Sequence, residues 1–172
     1  MDIKKKKYCL DTNVLIEAWR KYYSPEISPD YWNILNFLGR EGKIFIPEHV
    51  YDEIIRTEDN LSAWIRSCDI PIRAINEQVA KCLKEIYKSN PNHKYLVNSI
   101  KGRSLADPWV IAHAIDEDAV VVTKEEKVTA SNKKKNKIKI PDVCKNMNVK
   151  CINDFQLITE LGIRFNCNMI TE

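Results

Sequence analysis

Four acidic residues of this chain, Asp11, Glu53, Asp107 and Glu125, stand where they could do chemistry together. Asp11 closes the apolar run Tyr8-Cys9-Leu10 and is followed by Thr12 and Asn13. Glu53 lies in IPEHVYDEIIR, Asp107 opens DPWVIAHA, and Glu125 follows AVVVT. Gathered carboxylates raise one another's pKa, so a cluster is costly without a counter-charge. A divalent cation removes that cost and lowers the pKa of a water it holds. Hard oxygen donors with no histidine set beside them suit Mg2+ or Mn2+ rather than zinc. The chemistry best served is attack of an activated water on a phosphodiester, with the cation stabilising the leaving oxygen.

Taken singly, each acid has a plainer reading. Asp107 before Pro108 fits an N-cap with proline at the first helical position. Asp11-Thr12-Asn13 reads equally well as a helix entry. Glu53 reads as solvent-facing, and Glu125, with Glu126 beside it, as a surface charge. Asp52, Asp116, Glu117 and Asp118 read as ordinary surface or turn acids. What argues for a site is the shared placement of four acids in one strand–helix series.

The elements that must position them alternate. Residues 8–10 read as a strand, and 14–23 as a helix with Leu15, Ala18, Trp19 and Tyr22 at helical spacing. Ser28-Pro29 is a cap with proline behind it. It opens a helix that turns Tyr31, Ile34, Leu35 and Leu38 to the core, and Gly39 and Gly42 flank its end. Residues 43–46 read as a strand stopped by Pro47, and 48–57, 60–68, 76–87, 94–100 and 106–115 as helices. Residues 119–123 are the strongest strand, apolar as a covered parallel sheet requires. A polar, lysine-rich stretch runs over 129–137. Residues 138–140 and 150–152 are the last strand candidates, with short helices at 142–146 and 154–161. Such alternation implies right-handed crossovers and an α/β fold of three layers, α/β/α, around a central, mainly parallel sheet. Ligands of such folds lie beyond the carboxyl ends of the strands, where Asp11 and Glu125 fall.

The bulk numbers set bounds. With 172 residues, 44% of them apolar, the expectation is a single domain over 1–172 with a proper core. A net charge of +3 does not by itself predict a nucleic-acid partner. The six cysteines include no Cys-x-x-Cys pair and no paired histidines accompany them. Cys82 and Cys151 therefore read as buried thiols of a protein in a reducing compartment. Lysines 4–7 precede only three apolar residues, which is no signal peptide, and no apolar run approaches the roughly 20 residues of a membrane span. A cytoplasmic protein away from membranes is expected. His49, His93 and His113 have no nucleophile motif beside them, and four glycines leave no phosphate loop. Trp19, Trp32, Trp64 and Trp109 sit at helical core spacing.

The motifs YCLDTNVLIEAW, IFIPEHVYDEI, LADPWVIAHA and AVVVTKEE, with IKIPDVCKNMNVKCIND behind them, occur in the order seen in a known family. The chain resembles the PIN-domain nucleases, and within them the PIN-like branch of the DUF4411 type, over nearly its whole length. The resemblance implies that Asp11, Glu53 and Asp107 are the first three acidic metal ligands and catalytic residues. The fourth is usually an aspartate; here Glu125 stands there, one methylene longer, with Glu126 as the alternative. Thr12, Asn13 and Thr123 match small polar residues that hold a ligand or a water in place. The implied activity is Mg2+- or Mn2+-dependent endoribonucleolytic cleavage, leaving a 5′-phosphate and a 3′-hydroxyl. The implied role is often that of a toxin with an antitoxin protein as partner.

Cations near the acids would steer an RNA backbone. Lys124, Arg56 and Arg103 are the closest in sequence, with Arg66, Lys101 and the lysines of 132–137 further off. Lysine runs are usually solvated loops, and Lys4–Lys7 falls on the entering end of the first strand, away from the site. Three rivals stand beside the ribonuclease: a binding module for RNA or protein with a degenerate metal site, a structure-specific nuclease acting on DNA, and a haloacid-dehalogenase-type phosphatase using Asp11 as nucleophile. The last wants an aspartate at position 13, where this chain has Asn13. The sequence names neither the RNA target nor the number of ions, and leaves open whether the chain forms a homodimer.

Overall fold

A computed structural model describes residues 6–97, 105–127, 138–166 and 169. Five strands, β1 (Tyr8–Leu10), β2 (Ile44–Pro47), β3 (Ile72–Arg73), β4 (Val120–Val122) and β5 (Cys151–Ile152), form one all-parallel sheet in the order β3-β2-β1-β4-β5. Every residue of β1, β2 and β4 is buried. That is why these strands are apolar throughout instead of alternating: both faces of the sheet are covered.

The helices described are α1 (Thr12–Glu17), α2 (Pro29–Arg40), α3 (Glu48–Ile55), α4 (Asn60–Ser67), α5 (Glu77–Ser89), α6 (Asp107–Asp116), α7 (Ile140–Asn146) and α8 (Asp154–Glu160). The path β1-β2-β3 steps one way across the sheet, and β3-β4-β5 steps back. With right-handed crossovers, α1 to α4 then cover one face and α5 to α7 the other. The packing agrees: α6 lies on β1, β2 and β4 with α5 and α7 beside it, while α2 and α3 lie on β2 and α1 packs on α3. The fold is thus the expected three-layer α/β/α. The direction in which successive strands are added reverses between β1 and β4, and the crevice beyond their carboxyl ends is the switch point where such sheets bind ligands.

Several elements differ from the sequence reading. The helix expected over 14–23 begins at Thr12 and widens into a π-helix at Ala18–Tyr22, closed by a 2.8 Å bond from Tyr23 N–H to the carbonyl of Ala18. Residues 138–140 form no strand. Ile140 opens α7 with Pro141 in its first turn, where a residue lacking N–H is tolerated and a ladder position is not. The edge strand β3 was not anticipated; it has two residues and a half-exposed side chain at Ile72, too little for a periodic signal. The helix expected at 94–100 is a 3-10 turn over Pro91–Leu96, and 98–100 lie outside the described residues, as does 129–137.

Trp32 is buried and meets Trp19 and Trp64 with ring centroids 4.6 and 4.8 Å away; Trp109 stacks on His49 at 4.6 Å. Cys82 is buried as expected, Cys151 only partly, and the five described cysteines are all free. Among the described residues, no helix is long and apolar enough to cross a membrane.

Candidate metal and active site

The sheet ladder brings the first two pieces of the site together. Asp11 N–H donates to the carbonyl of Val122 at 2.9 Å, one residue past the end of β1, and Thr123 N–H donates to Ile152 at 3.0 Å. Asp11 and Thr123 therefore lie side by side. Asp11 has extended backbone and is the N-cap of α1: Oδ1 accepts from Thr12 N–H at 2.8 Å, and Oδ2 accepts from Thr123 Oγ1 at 2.8 Å. The helix-entry reading of Asp11 and its placement in the crevice both hold, because one oxygen serves each.

The other acids come from three further elements. Asp11, Glu53, Asp107 and Glu125 line one cavity of about 210 Å³, together with Thr12, Asn13, Ile16 and Glu17. Glu53 comes from the second turn of α3, half-buried, and its Oε2 accepts from Thr12 Oγ1 at 2.9 Å. Asp107 is buried and is the first residue of α6, with the N-cap position falling to Ala106. A carboxylate there also complements the helix dipole. Glu125 follows β4, and its Oε2 accepts from Ile140 N–H at 2.9 Å. Lys139 Nζ is 3.7 Å from its other oxygen. Glu126 is exposed and does not line the cavity.

The polar residues tie these elements to one another. Asn13 accepts at Oδ1 from Lys124 N–H at 2.9 Å and donates from Nδ2 to Thr123 Oγ1 at 3.2 Å. Glu125 N–H donates to the same hydroxyl at 3.1 Å. Asn13 and Thr123 thus hold the first and last acids in register, while the Thr12 hydroxyl holds Glu53.

The electrostatics follow from this crowding. Asp11 is 2% exposed, and its carboxyl is pushed up to about 7. Burial is the largest cause, and the charges of Glu125 and Glu53 add to it against the bonds from Thr123 and Thr12. The donor set, hard carboxylate oxygens with a shortage of positive charge, is chemically suited to Mg2+ or Mn2+. As placed, no three His, Cys, Asp or Glu side chains among the described residues are grouped tightly enough to hold one ion. The carboxylates of Asp11, Glu53 and Glu125 are turned to Thr123, Thr12 and Ile140, and repulsion favours that separation.

Three expected RNA-binding cations fare differently. Arg56 is exposed just past α3, one turn on from Glu53. Arg103 and Lys101 lie outside the described residues, as do the lysines of 132–137. Lys124 does not face the cavity mouth as a free cation; its side chain is 10% exposed and paired with Asp154 at 2.9 Å. Lys7 pairs with Glu117 and Lys6 with Glu160 at the entering end of the sheet.

Sequence reasoning missed Glu17, which lines the same cavity and lies 3.8 Å from Lys21. A signal was present: Glu17 stands one helical turn after Asn13, on the face that Asn13 turns to the crevice.

A family model described as "Domain of unknown function (DUF4411)" matches residues 8–165. Among solved structures, the chain is similar to VapBC2 from Rickettsia felis, in a crystal structure of that complex bound to a DNA fragment from their promoter. The match has 18% identity and a TM-score of 0.56, and covers 85% of this chain and 97% of that one. No curated protein matches. The likeness shows the fold to be PIN-like, as the sequence motifs implied.

Proposed function

The chain belongs to the DUF4411 family, and on that premise we propose that it is a divalent-metal-dependent endoribonuclease. The observation that carries this reading is the burial of Asp11 in a cavity shared with Glu53, Asp107 and Glu125, at the switch point of a parallel sheet. Asp11, Glu53 and Asp107 would hold Mg2+ or Mn2+, with Glu125 completing the pocket or taking a second ion. When bound, the cation would supply Lewis acidity at the scissile phosphate and lower the pKa of a water for in-line attack. This chain's residues do the rest. Thr123 and Thr12 orient the Asp11 and Glu53 carboxylates through their hydroxyls. Asn13 holds the backbone of the segment leading to Glu125.

RNA is the proposed substrate. An antitoxin protein is the proposed partner, supported by the likeness of the fold to VapBC2. The test is cleavage of RNA by the purified protein with Mn2+. Wild type cleaves, while Asp11→Asn and Asp107→Asn lose activity and keep their circular dichroism. Wild-type activity in Asp11→Asn overturns the assignment. A second reading, a binding module without catalysis, draws on the absence of a tight ion-holding trio among the described residues. It predicts no carboxylate-dependent uptake of Mn2+ in calorimetric titration.

A further inference from the structure

We propose that Lys124 and Asp154 are a positioning pair that aims Glu125 into the acidic cavity, an inference that rests on the nuclease reading above. Lys124 is the residue between Thr123, which bonds Asp11, and Glu125, which lines the cavity. Its backbone N–H is held by Asn13 of α1 at 2.9 Å. Its side chain runs the other way, to α8, where Nζ meets Asp154 Oδ2 at 2.9 Å with the two side chains 10% and 1% exposed. Two aromatic rings close over the ammonium: the Tyr22 centroid lies 4.2 Å from Nζ and the Phe155 centroid 4.9 Å. Tyr22 ends the π-helix, the widened turn that also lets Tyr23 stack on Tyr31 at 4.3 Å. Residue 124 is thus pinned at both ends, backbone to α1 and side chain to α8. The next residue has little freedom of direction.

Energetics favours positioning over plain stabilisation. A buried ion pair loses most of its Coulomb gain to desolvation, and an apolar pair of similar volume often serves stability as well or better. The rings over Nζ return part of that cost. What an apolar pair would not supply is a fixed direction for the segment, because its contacts are non-directional. The consequence falls on Glu125, whose carboxylate reaches Ile140 N–H only if this segment is fixed.

The test uses the double variant Lys124→Met/Asp154→Asn, which removes both charges at nearly constant volume. In the metal-free protein, amide hydrogen exchange at Glu125 and Ile140 is expected to quicken at least about 10-fold, because those N–H bonds depend on the segment. Exchange at Cys9 and Val121, in the strands, stays as in wild type. Mn2+ affinity falls about 10-fold, within the range for a group that orients a ligand. In a Glu125→Gln background the same double change produces no further loss of affinity, since its effect runs through Glu125. Tyr22→Leu, at a half-exposed ring, is the milder variant and quickens the same two amides. Wild-type exchange at Glu125 and Ile140 in both variants overturns the proposal. If wild type takes up no Mn2+ while the exchange still responds, the metal reading fails and the positioning of Glu125 stands.

Discussion

Thr123 Oγ1 donates a 2.8 Å hydrogen bond to Asp11 Oδ2, across two sheet neighbours 112 residues apart in sequence. The same hydroxyl accepts from Glu125 N–H at 3.1 Å and from Asn13 Nδ2 at 3.2 Å. One buried oxygen thus joins the first acid, the last acid and the start of α1. Asp11, already destabilised as an anion by burial and by Glu125 and Glu53, is kept in the cavity by this bond and its own capping bond.

Thr123→Val removes that oxygen at constant shape. Three bonds are lost, and Asp11 Oδ2 loses its donor from Thr123 in a buried place. The variant is expected to lose about 1–3 kcal/mol of stability in urea unfolding. Its Mn2+ affinity should fall roughly 10- to 100-fold. Wild-type affinity in a folded variant would show that the hydroxyl does not orient the site.

Glu125 and Glu126 give an internal contrast. Glu125 lines the cavity and caps Ile140 N–H, while Glu126 is exposed. Glu125→Gln is expected to weaken Mn2+ uptake by at least about 10-fold, the range for groups that set a metal site. Glu126→Gln stays within about 0.5 kcal/mol of wild type in stability, as exposed sites do, and leaves uptake unchanged. Titration of the two variants side by side decides which acid is the fourth; the opposite pattern would return the role to Glu126.

The strands at Tyr8–Leu10, Ile44–Pro47 and Val120–Val122 were legible because burial on both faces forces a continuous apolar run. Asp11 was legible because a carboxylate at the end of such a run has few reasons to be there. The convergence of Glu53 and Asp107 was legible only as a shared placement in the strand–helix series, strengthened by the family resemblance, because it required the crossovers to bring α3 and α6 to one crevice. Glu17 and the Lys124–Asp154 pair were missed for different reasons. Glu17 reaches the cavity along a helix face that sequence marks only weakly. Lys124 and Asp154 meet through a contact with no local signal, and the π-helix that brings Tyr22 over Lys124 has no periodicity of its own.

Gly39 is a packing glycine. It sits in the last turn of α2, and a Cβ built on it would lie 2.6 Å from Cα of Ile70 and 2.9 Å from its backbone nitrogen. Backbone cannot step aside as a side-chain tip can. Gly39→Ala is therefore expected to cost about 1–3 kcal/mol, as overpacking in a tight interior does. Gly42→Ala meets no atom within 4 Å and is strained only by its φ of +66°. That strain is worth roughly 1–2 kcal/mol. Urea midpoints of the two variants measure both; a neutral Gly39→Ala would mean that α2 can shift away from Ile70 freely.

Glu117 supplies a pH dependence remote from the cavity. It accepts from Lys7 Nζ at 2.7 Å and from Arg73 Nε at 2.6 Å, tying the entry to β1 and the edge strand β3 to the end of α6. Burial pushes its carboxyl up, but the two cations together outweigh it and hold the group below its usual value. A depressed acid binds fewer protons folded than unfolded, so its contribution is complete above the unfolded value, about 4.3, and is lost as pH falls through the folded one. Lys7 and Arg73 are more than a third exposed, so solvent screening limits the worth of the cluster to about 1 kcal/mol. Glu117→Gln is expected to be less stable than wild type at pH 7 by about that amount. The gap should close as pH falls below about 4, because wild type then loses what the variant never had. Paired urea titrations from pH 3 to 7 measure the gap; a constant difference across that range would show that the ion pairs do not stabilise the folded state. Mn2+ affinity stays that of wild type in this variant, since Glu117 follows the carboxyl end of α6, whose first residue is Asp107, and neither it nor its two partners line the cavity.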